Sequence, residues 1–162
     1  MKKTSRKVVV IWIGLVVLID QLAKWVARGP LLKAGPFSFL GDWIRLETVE
    51  NSGAFLSLGA SWSGEARRWA FQIGVVATLA YITWLYKKKA WDRRATFGLA
   101  MIWAGGFGNL IDRFWKDSVT DFLILGQGWL RTGVFNVADF AIVLGLVFVL
   151  WGREIRSAPS SH

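Results

Sequence analysis

The chain has no cysteine, and its single histidine is its last residue, His162. Without thiols there is no disulfide framework, no thiolate nucleophile and no cysteine metal site. With one imidazole, placed at the extreme C-terminus, neither a Ser-His-Asp triad nor a histidine zinc site is expected. Carboxylates, or a serine–lysine pair, are left to carry any hydrolytic chemistry. Acids are also scarce, 11 against 20 lysines and arginines, for a net charge of +9. An aspartate set inside an apolar stretch therefore calls for an explanation.

Apolar residues are plentiful. They make up 54% of the chain and fall in blocks, with a mean hydropathy of +0.39. That is too apolar for an ordinary soluble domain and points to an α-helical integral membrane protein forming one compact unit over residues 1–162. The positive charge would raise nucleic-acid binding in a soluble protein. Here the cations cluster at the ends of apolar blocks, which fits membrane topology and anionic headgroups, so no nucleic-acid partner is expected.

Taken in order, a basic start at Lys2, Lys3, Arg6 and Lys7 precedes an uncharged run from Val8 to Ile19. A signal peptide would begin the same way. No small-x-small cleavage site follows cleanly, however, and the helical pattern continues to Ala27, giving a first retained span over 8–27 that Gly29-Pro30 should break. Further spans are expected over 69–86, 95–113 and 136–151. The connections 28–68 and 114–135 mix polar and apolar residues. Ile44, Leu46 and Thr48 alternate with Trp43, Arg45 and Glu47 as in a strand, and 119–125 reads likewise. Asn51-Ser52-Gly53 and Gly126-Gln127-Gly128 are turn signals, and Ala54 to Leu58 is a further candidate strand. A small sheet lying on the membrane is the expectation. Ala100, Ala104 and Gly108, spaced by four, form a small-residue ridge along which a neighbouring helix could approach.

Short segments carrying Lys87, Lys88, Lys89, Arg93, Arg94, Arg153 and Arg156, together with the basic start, put both termini and the second loop in the cytoplasm. Both long connections then lie outside. Trp25 and Trp115 fall at outer ends, and Trp84, Trp91 and Trp151 at inner ends, as an aromatic belt requires. In this orientation Asp20, Lys24, Asn109, Asp112, Arg113, Asp121, Asn136 and Asp139 converge at one depth near the outer interface, while the inner helix halves are almost free of charge. A transporter would more often carry polar groups at the midplane.

Each of these residues also has a plain structural reading. Asp20 and Lys24 form a favourable i,i+4 pair. Asp112-Arg113 could end a helix at the headgroups. Asn136 is a good N-cap with Asp139 at its third position, close to a capping box. Asp121 alone would be a loop acid, but it sits in the apolar run Thr120-Asp121-Phe122-Leu123. An Asp at a membrane helix centre costs about 2.5–3.5 kcal/mol. The conjunction favours chemistry: two carboxylates close together in a partly dry site share a proton, one acting as base on water and the other as acid. A gated transporter subunit and a structural protein that docks a partner on its outer sheet are the alternatives.

Several segments, spread over almost the whole length, match one family. They are Asp20-Gln21-Leu22-Ala23-Lys24, Glu50-Asn51-Ser52-Gly53-Ala54-Phe55, Gly105-Gly106-Phe107-Gly108-Asn109-Leu110-Ile111-Asp112-Arg113, Val119-Thr120-Asp121-Phe122 and Phe135-Asn136-Val137-Ala138-Asp139. Together they resemble the bacterial lipoprotein signal peptidases (signal peptidase II), intramembrane aspartyl peptidases of the cytoplasmic (inner) membrane. The resemblance implies that Asp121 and Asp139 are a catalytic dyad needing no cofactor. It implies that Asn109, Arg113 and Asn136 line the site, and that Asp20, Lys24, Asn51, Gly53, Gly108 and Asp112 support it. It further implies prolipoprotein substrates already carrying diacylglycerol on a cysteine and cut just before that cysteine. The protein would act among membrane lipids, as a monomer. One departure is visible: the family often has a second alanine before the aromatic, whereas Ala54 is followed directly by Phe55, which bears on the shape of that wall.

Overall fold

The computed structural model describes residues 4–52, 63–152 and 154. Four long helices and a three-stranded antiparallel sheet account for most of them. Helix α1 spans Arg6–Ala34. It is α-helical over Arg6–Val26, passes through a π segment at Ala27–Leu31, and closes with a last turn at Leu32–Ala34. The expected break at Gly29-Pro30 is therefore corrected. Pro30 has no N–H to give and its ring crowds the preceding turn. The π geometry accommodates it without ending the helix. The Ala27 carbonyl takes the Leu32 N–H, five residues on, and the Thr48 hydroxyl at 2.8 Å. The bulge thus ties α1 to the sheet.

Helix α2 (Gly64–Lys88) starts earlier than the apolar run beginning at Trp69, because Ser63 caps it: its Oγ accepts from the Ala66 N–H at 3.2 Å. Helix α3 (Arg93–Lys116) is capped by Asp92, whose Oδ1 accepts from the Ala95 N–H at 2.8 Å. It ends at Asp117 in the left-handed conformation (φ 60°), one turn beyond Asp112-Arg113. The reading of those two residues as a helix end is corrected accordingly. Helix α4 (Val137–Trp151) has the expected N-cap, Asn136, with a full capping box to Asp139. Helices Arg6–Ala34 and Gly64–Lys88 are long and apolar enough to cross a membrane; Val137–Trp151 is apolar but shorter.

Both long connections feed the sheet. Strands β1 (Phe37–Phe39), β2 (Ile44–Asn51) and β3 (Val119–Leu125) lie in the order β1-β2-β3. The β1–β2 hairpin turns through Leu40, Gly41 and Asp42, all at positive φ. The three-residue β1 is too short to leave an alternation in the sequence. The turn read at Gly126-Gln127-Gly128 is present, both glycines being left-handed (φ 90° and 58°). Strand β2 carries a bulge between Leu46 and Val49, beyond which Val49 pairs with Asp121 and Asn51 with Val119. On the free edge of β3, Phe135 pairs with Leu123, exchanging hydrogen bonds at 2.9 Å each way. The start of α4 is thereby fixed beside Asp121. The candidate strand 54–58 and Gly53 lie outside the described residues.

Helix α3 is central and packs against α1, α2 and α4. The ridge of Ala100, Ala104 and Gly108 is buried, and Gly108 faces α1: a Cβ there would lie 2.7 Å from Asp20 Oδ2. The approach to α4 uses other glycines, Gly105 and Gly98: a Cβ on Gly105 would lie 2.3 Å from the Ala138 carbonyl. A Cβ on Gly98 would sit 2.5 Å from the Gly145 carbonyl and 2.8 Å from the Val149 N–H nitrogen, both backbone atoms of α4. Gly98→Val should therefore lower unfolding stability by about 1–3 kcal/mol, the usual range for overpacking. Gly74→Ala, where nothing lies within 4 Å, is the control. Unfolding both in detergent checks this; equal stabilities would show that α3 and α4 can separate freely here.

Candidate active site

The site begins with a spacing on α1. Asp20, Lys24 and Arg28 are four residues apart and fall on one face. Lys24, fully buried, spends all three ammonium donors: on Asp20 Oδ2 at 2.8 Å, Asn109 Oδ1 at 2.8 Å and Asp112 Oδ2 at 3.4 Å. Asp112 also accepts from Arg28 Nη2 at 3.3 Å and from the Thr120 N–H at 3.1 Å. Asp20 Oδ1 accepts from the Ala138 N–H at 2.9 Å, so an acid of α1 satisfies an otherwise unpaired donor in the first turn of α4. Gln21 completes this wall, donating to Asp20 Oδ2 and to the Gly108 carbonyl, each at 3.1 Å. The i,i+4 pair of the sequence is thus present, and it is the centre of an ion network rather than an isolated pair.

This network fixes an amide. Lysine can only donate, so Asn109 must turn its oxygen to Lys24. Its Nδ2 then points the other way and donates to Asp139 Oδ1 at 2.8 Å. Asn136 is set by the same logic. Its Oδ1 caps α4 by accepting from the Asp139 N–H at 2.9 Å, which leaves its Nδ2 to donate to Asp121 Oδ1 at 2.6 Å and to Asn109 Oδ1 at 3.2 Å. Asp139 Oδ2 accepts from the Asn136 N–H at 3.3 Å. From the sheet, Asn51 Nδ2 donates to Asp121 Oδ2 at 3.0 Å. The two carboxylates, 18 positions apart in sequence (139 − 121), are therefore joined through one buried residue, Asn136, whose side chain donates to Asp121 and whose backbone N–H donates to Asp139.

Asp121 is 3% exposed, whereas Asp139 is half-buried. Burial pushes the Asp121 carboxyl above the usual aspartate range. The Asn51 amide opposes this, the neighbouring charge of Asp139 adds to it, and the Asn136 amide opposes it again. Arg113 lies half-buried close by, within the fields of Asp139, Asp121 and Asp112; among the described residues its side chain donates to the Asn109 carbonyl at 3.5 Å. Beside it opens a cleft of about 330 Å³ lined by Ser52, Glu65, Arg68, Phe71, Arg113 and Asp117. Among the described residues no group of three or more His, Cys, Asp or Glu is placed to share a metal ion.

The structure thus gathers Asp20, Lys24, Asn51, Asn109, Asp112, Arg113, Asp121, Asn136 and Asp139, with Gly108 making room for Asp20; Gly53 is outside the described residues. Sequence reasoning missed Arg28, Thr120 and Glu50. Arg28 was legible as the next step of the Asp20, Lys24 spacing but lay against the supposed helix break. Glu50 is a clamp behind the site. It accepts from Lys116 at 2.7 and 2.8 Å, from Ser118 at 2.6 Å and from Thr120 Oγ1 at 2.9 Å. Burial would raise its pKa, but these donors outweigh that and hold it below the usual range. No local pattern announces such a clamp.

A family model described as signal peptidase (SPase) II matches residues 12–153. The lipoprotein signal peptidase of Polynucleobacter necessarius is 33% identical over 149 residues, covering 91% of this chain and 89% of that one. The lipoprotein signal peptidase of Burkholderia multivorans is 37% identical over 156 residues, covering 91% and 90%. The fold is similar to a bacterial membrane enzyme solved by the in meso method at 2.3 Å resolution, with a TM-score of 0.81 at 22% identity over 93% of this chain and 89% of that one. With a family model matching residues 12–153 and curated relatives 33% and 37% identical over about nine-tenths of its length, the chain belongs to the signal peptidase II family of peptidases.

Proposed function

We propose that this protein removes the signal peptide from prolipoproteins whose cysteine already carries diacylglycerol, cutting just before that cysteine, with Asp121 and Asp139 as an aspartate dyad that activates water. The observation that carries the reading is the bridge that Asn136 makes between the two carboxylates, donating its side-chain amide to Asp121 and its backbone N–H to Asp139. Asp139, more open to solvent, serves as the base. It takes a proton from water as the water oxygen bonds to the scissile carbonyl carbon, while Asp121 gives its proton to the carbonyl oxygen. As the C–N bond breaks, Asp139 passes its proton to the leaving amine, and Asp121 recovers one from the diol. The products are a carboxyl terminus and a free amine, with the dyad restored.

The four helices are read as spans of the bacterial inner membrane with both termini cytoplasmic and the site near the outer face. Two features support this. The exposed cations Lys87, Lys88, Arg93 and Arg94 gather at the end of the bundle away from the carboxylates. Beside the carboxylates, the sheet and its turns expose Leu40 and Trp129, and the end of α3 exposes Trp115, apolar and aromatic groups suited to the interface. A diacylglyceryl chain would hold the cleavage point at that depth. The site is built from one chain, and a monomer suffices for it.

Purified protein in detergent should cut a diacylglyceryl-modified precursor and leave the unlipidated precursor intact, read as a shift on a gel. Equal cleavage of both would defeat the substrate assignment, and cleavage of neither by folded protein would defeat the peptidase reading. The pH profile carries a second test. The Asp121 proton is retained past the range of an ordinary aspartate, so activity should hold below the raised pKa and fall as pH rises through it. Folding stability should drift the same way, because a raised acid favours the fold while protonated and loses that advantage as pH rises through its folded pKa. Asn51→Ala removes a donor that favours the ionised form, so the alkaline limb should move to higher pH. A limb that stays in place would separate Asp121 from the proton-donor role.

A further inference from the structure

We infer that an anionic phospholipid binds between α1, α2 and α3 at the end of the bundle away from the carboxylates, its phosphate held by Arg6 and Lys87 and one acyl chain lying in the apolar groove below them. The groove, about 450 Å³, is walled by Val9, Val10, Ile13, Ile82, Leu99 and Trp103. That volume lies within the roughly 300–1,000 Å³ of small-molecule sites. Its walls are mostly apolar, and its charged residues lie where a second, smaller and more polar cavity of about 150 Å³ adjoins it. The two share Arg6, Tyr86, Lys87 and Thr96 in their linings. Together they make a long apolar slot with a basic mouth, which is the outline of a lipid tail and head.

Charge at the mouth selects the head. Lys89 also lines the small cavity, but it pairs with Glu154 at 2.8 Å. Arg6 and Lys87 have no acidic partner among the described residues, and both are exposed. Thr4 lines the same polar cavity, and its hydroxyl oxygen is buried without a hydrogen-bond partner among the described residues. Two unpaired cations and an unsatisfied hydroxyl suit a phosphodiester, and basic pockets between membrane helices bind anionic headgroups on this principle. The same sign disfavours the other chain-shaped occupant. A signal peptide begins with a cationic segment, which Arg6 and Lys87 would repel. The site is also remote from the dyad: Arg6 and Lys24 are 18 residues apart on one helix, roughly 27 Å.

The test uses the full chain in detergent, with thermal unfolding measured against added dioleoyl phosphatidylglycerol, dioleoyl phosphatidylcholine and glycerol 3-phosphate. Phosphatidylglycerol should raise the melting temperature several degrees more than phosphatidylcholine, because a ligand that binds only the folded state stabilises it. The Arg6→Gln/Lys87→Gln double variant should lose that difference. Val10→Trp, at a position already largely exposed, fills the slot and should weaken the response to both lipids while leaving the KM for precursor cleavage unchanged. Equal shifts from the two lipids, a double variant that still discriminates, or a full shift from glycerol 3-phosphate alone would each overturn the proposal. So would a rise in KM in Val10→Trp with lipid discrimination intact, which would place the signal peptide in the groove.

Discussion

Asp139→Asn and Asp121→Asn should each abolish cleavage of a lipidated precursor while leaving a folded protein. General acid–base groups contribute typically about 10² to 10⁴ in rate. A pair that acts as one unit loses nearly everything with either member, so a fall of at least about 10³ in kcat is expected from each, and the double variant should be no worse than the singles. The fold should survive because the replacements are nearly isosteric and the surrounding bonds can be partly remade. In Asp139→Asn the side-chain oxygen can still accept from Asn109 or from the Asn136 N–H, though not both as well as a carboxylate does; a weakened cap costs about 1 kcal/mol. Asp121→Asn keeps one acceptor for Asn51 or Asn136. Melting curves beside the cleavage assay separate lost chemistry from lost structure. A protein that merely docks a partner on its outer sheet would show the small stability loss and no catalytic one. Normal turnover by either variant would remove the dyad assignment.

The cap and the dyad were set against each other in the sequence as competing accounts of Asn136 and Asp139, whereas in the structure the cap itself aims Asn136 at Asp121, so the two accounts are compatible. The capping box is complete. Because the cap occupies the Asn136 oxygen, its nitrogen is forced toward Asp121. Local pattern was enough to locate α4 and its cap, the Asp20–Lys24 pair, two of the three strands and the convergence of polar groups. It failed where tertiary contact overrides local signal. Gly29-Pro30 reads as a break, yet the π segment carries α1 through it and presents the Ala27 carbonyl to Thr48. The ridge at Ala100, Ala104 and Gly108 was visible as a period of four, but the close approach of α3 to α4 depends on Gly98 meeting Gly145 and Gly105 meeting Ala138, pairings between distant segments that no spacing within α3 encodes. The bridge between the carboxylates was illegible for the same reason. It needs the pairing of Phe135 with Leu123 across the sheet edge to bring Asn136 beside Asp121.

Lys24→Met should be the most destabilising single change in the network. Lys24 is fully buried between Asp20 and Asp112, each 1% exposed. Removing it leaves two carboxylates in a dry environment; Asp112 retains Arg28 and the Thr120 N–H, but Asp20 keeps only neutral donors. Breaking a buried ion pair by deleting one partner costs about 3–5 kcal/mol, far more than the pair itself contributes. If the loss comes from stranded charge, neutralising the stranded acid should recover part of it: Asp20→Asn in the Lys24→Met background should unfold at higher denaturant than Lys24→Met alone, although Asp20→Asn alone is destabilising. Chemical unfolding of the four proteins in detergent forms a double-mutant cycle that reads this coupling directly. Activity should not return with stability. Without an ammonium to claim its oxygen, the Asn109 amide is free to turn, and the donor it presents to Asp139 is no longer fixed. The double variant should therefore be folded yet slow, with the deficit in kcat rather than KM. Full activity in that protein would mean that Lys24 holds the helices together and has no part in aligning the carboxylates.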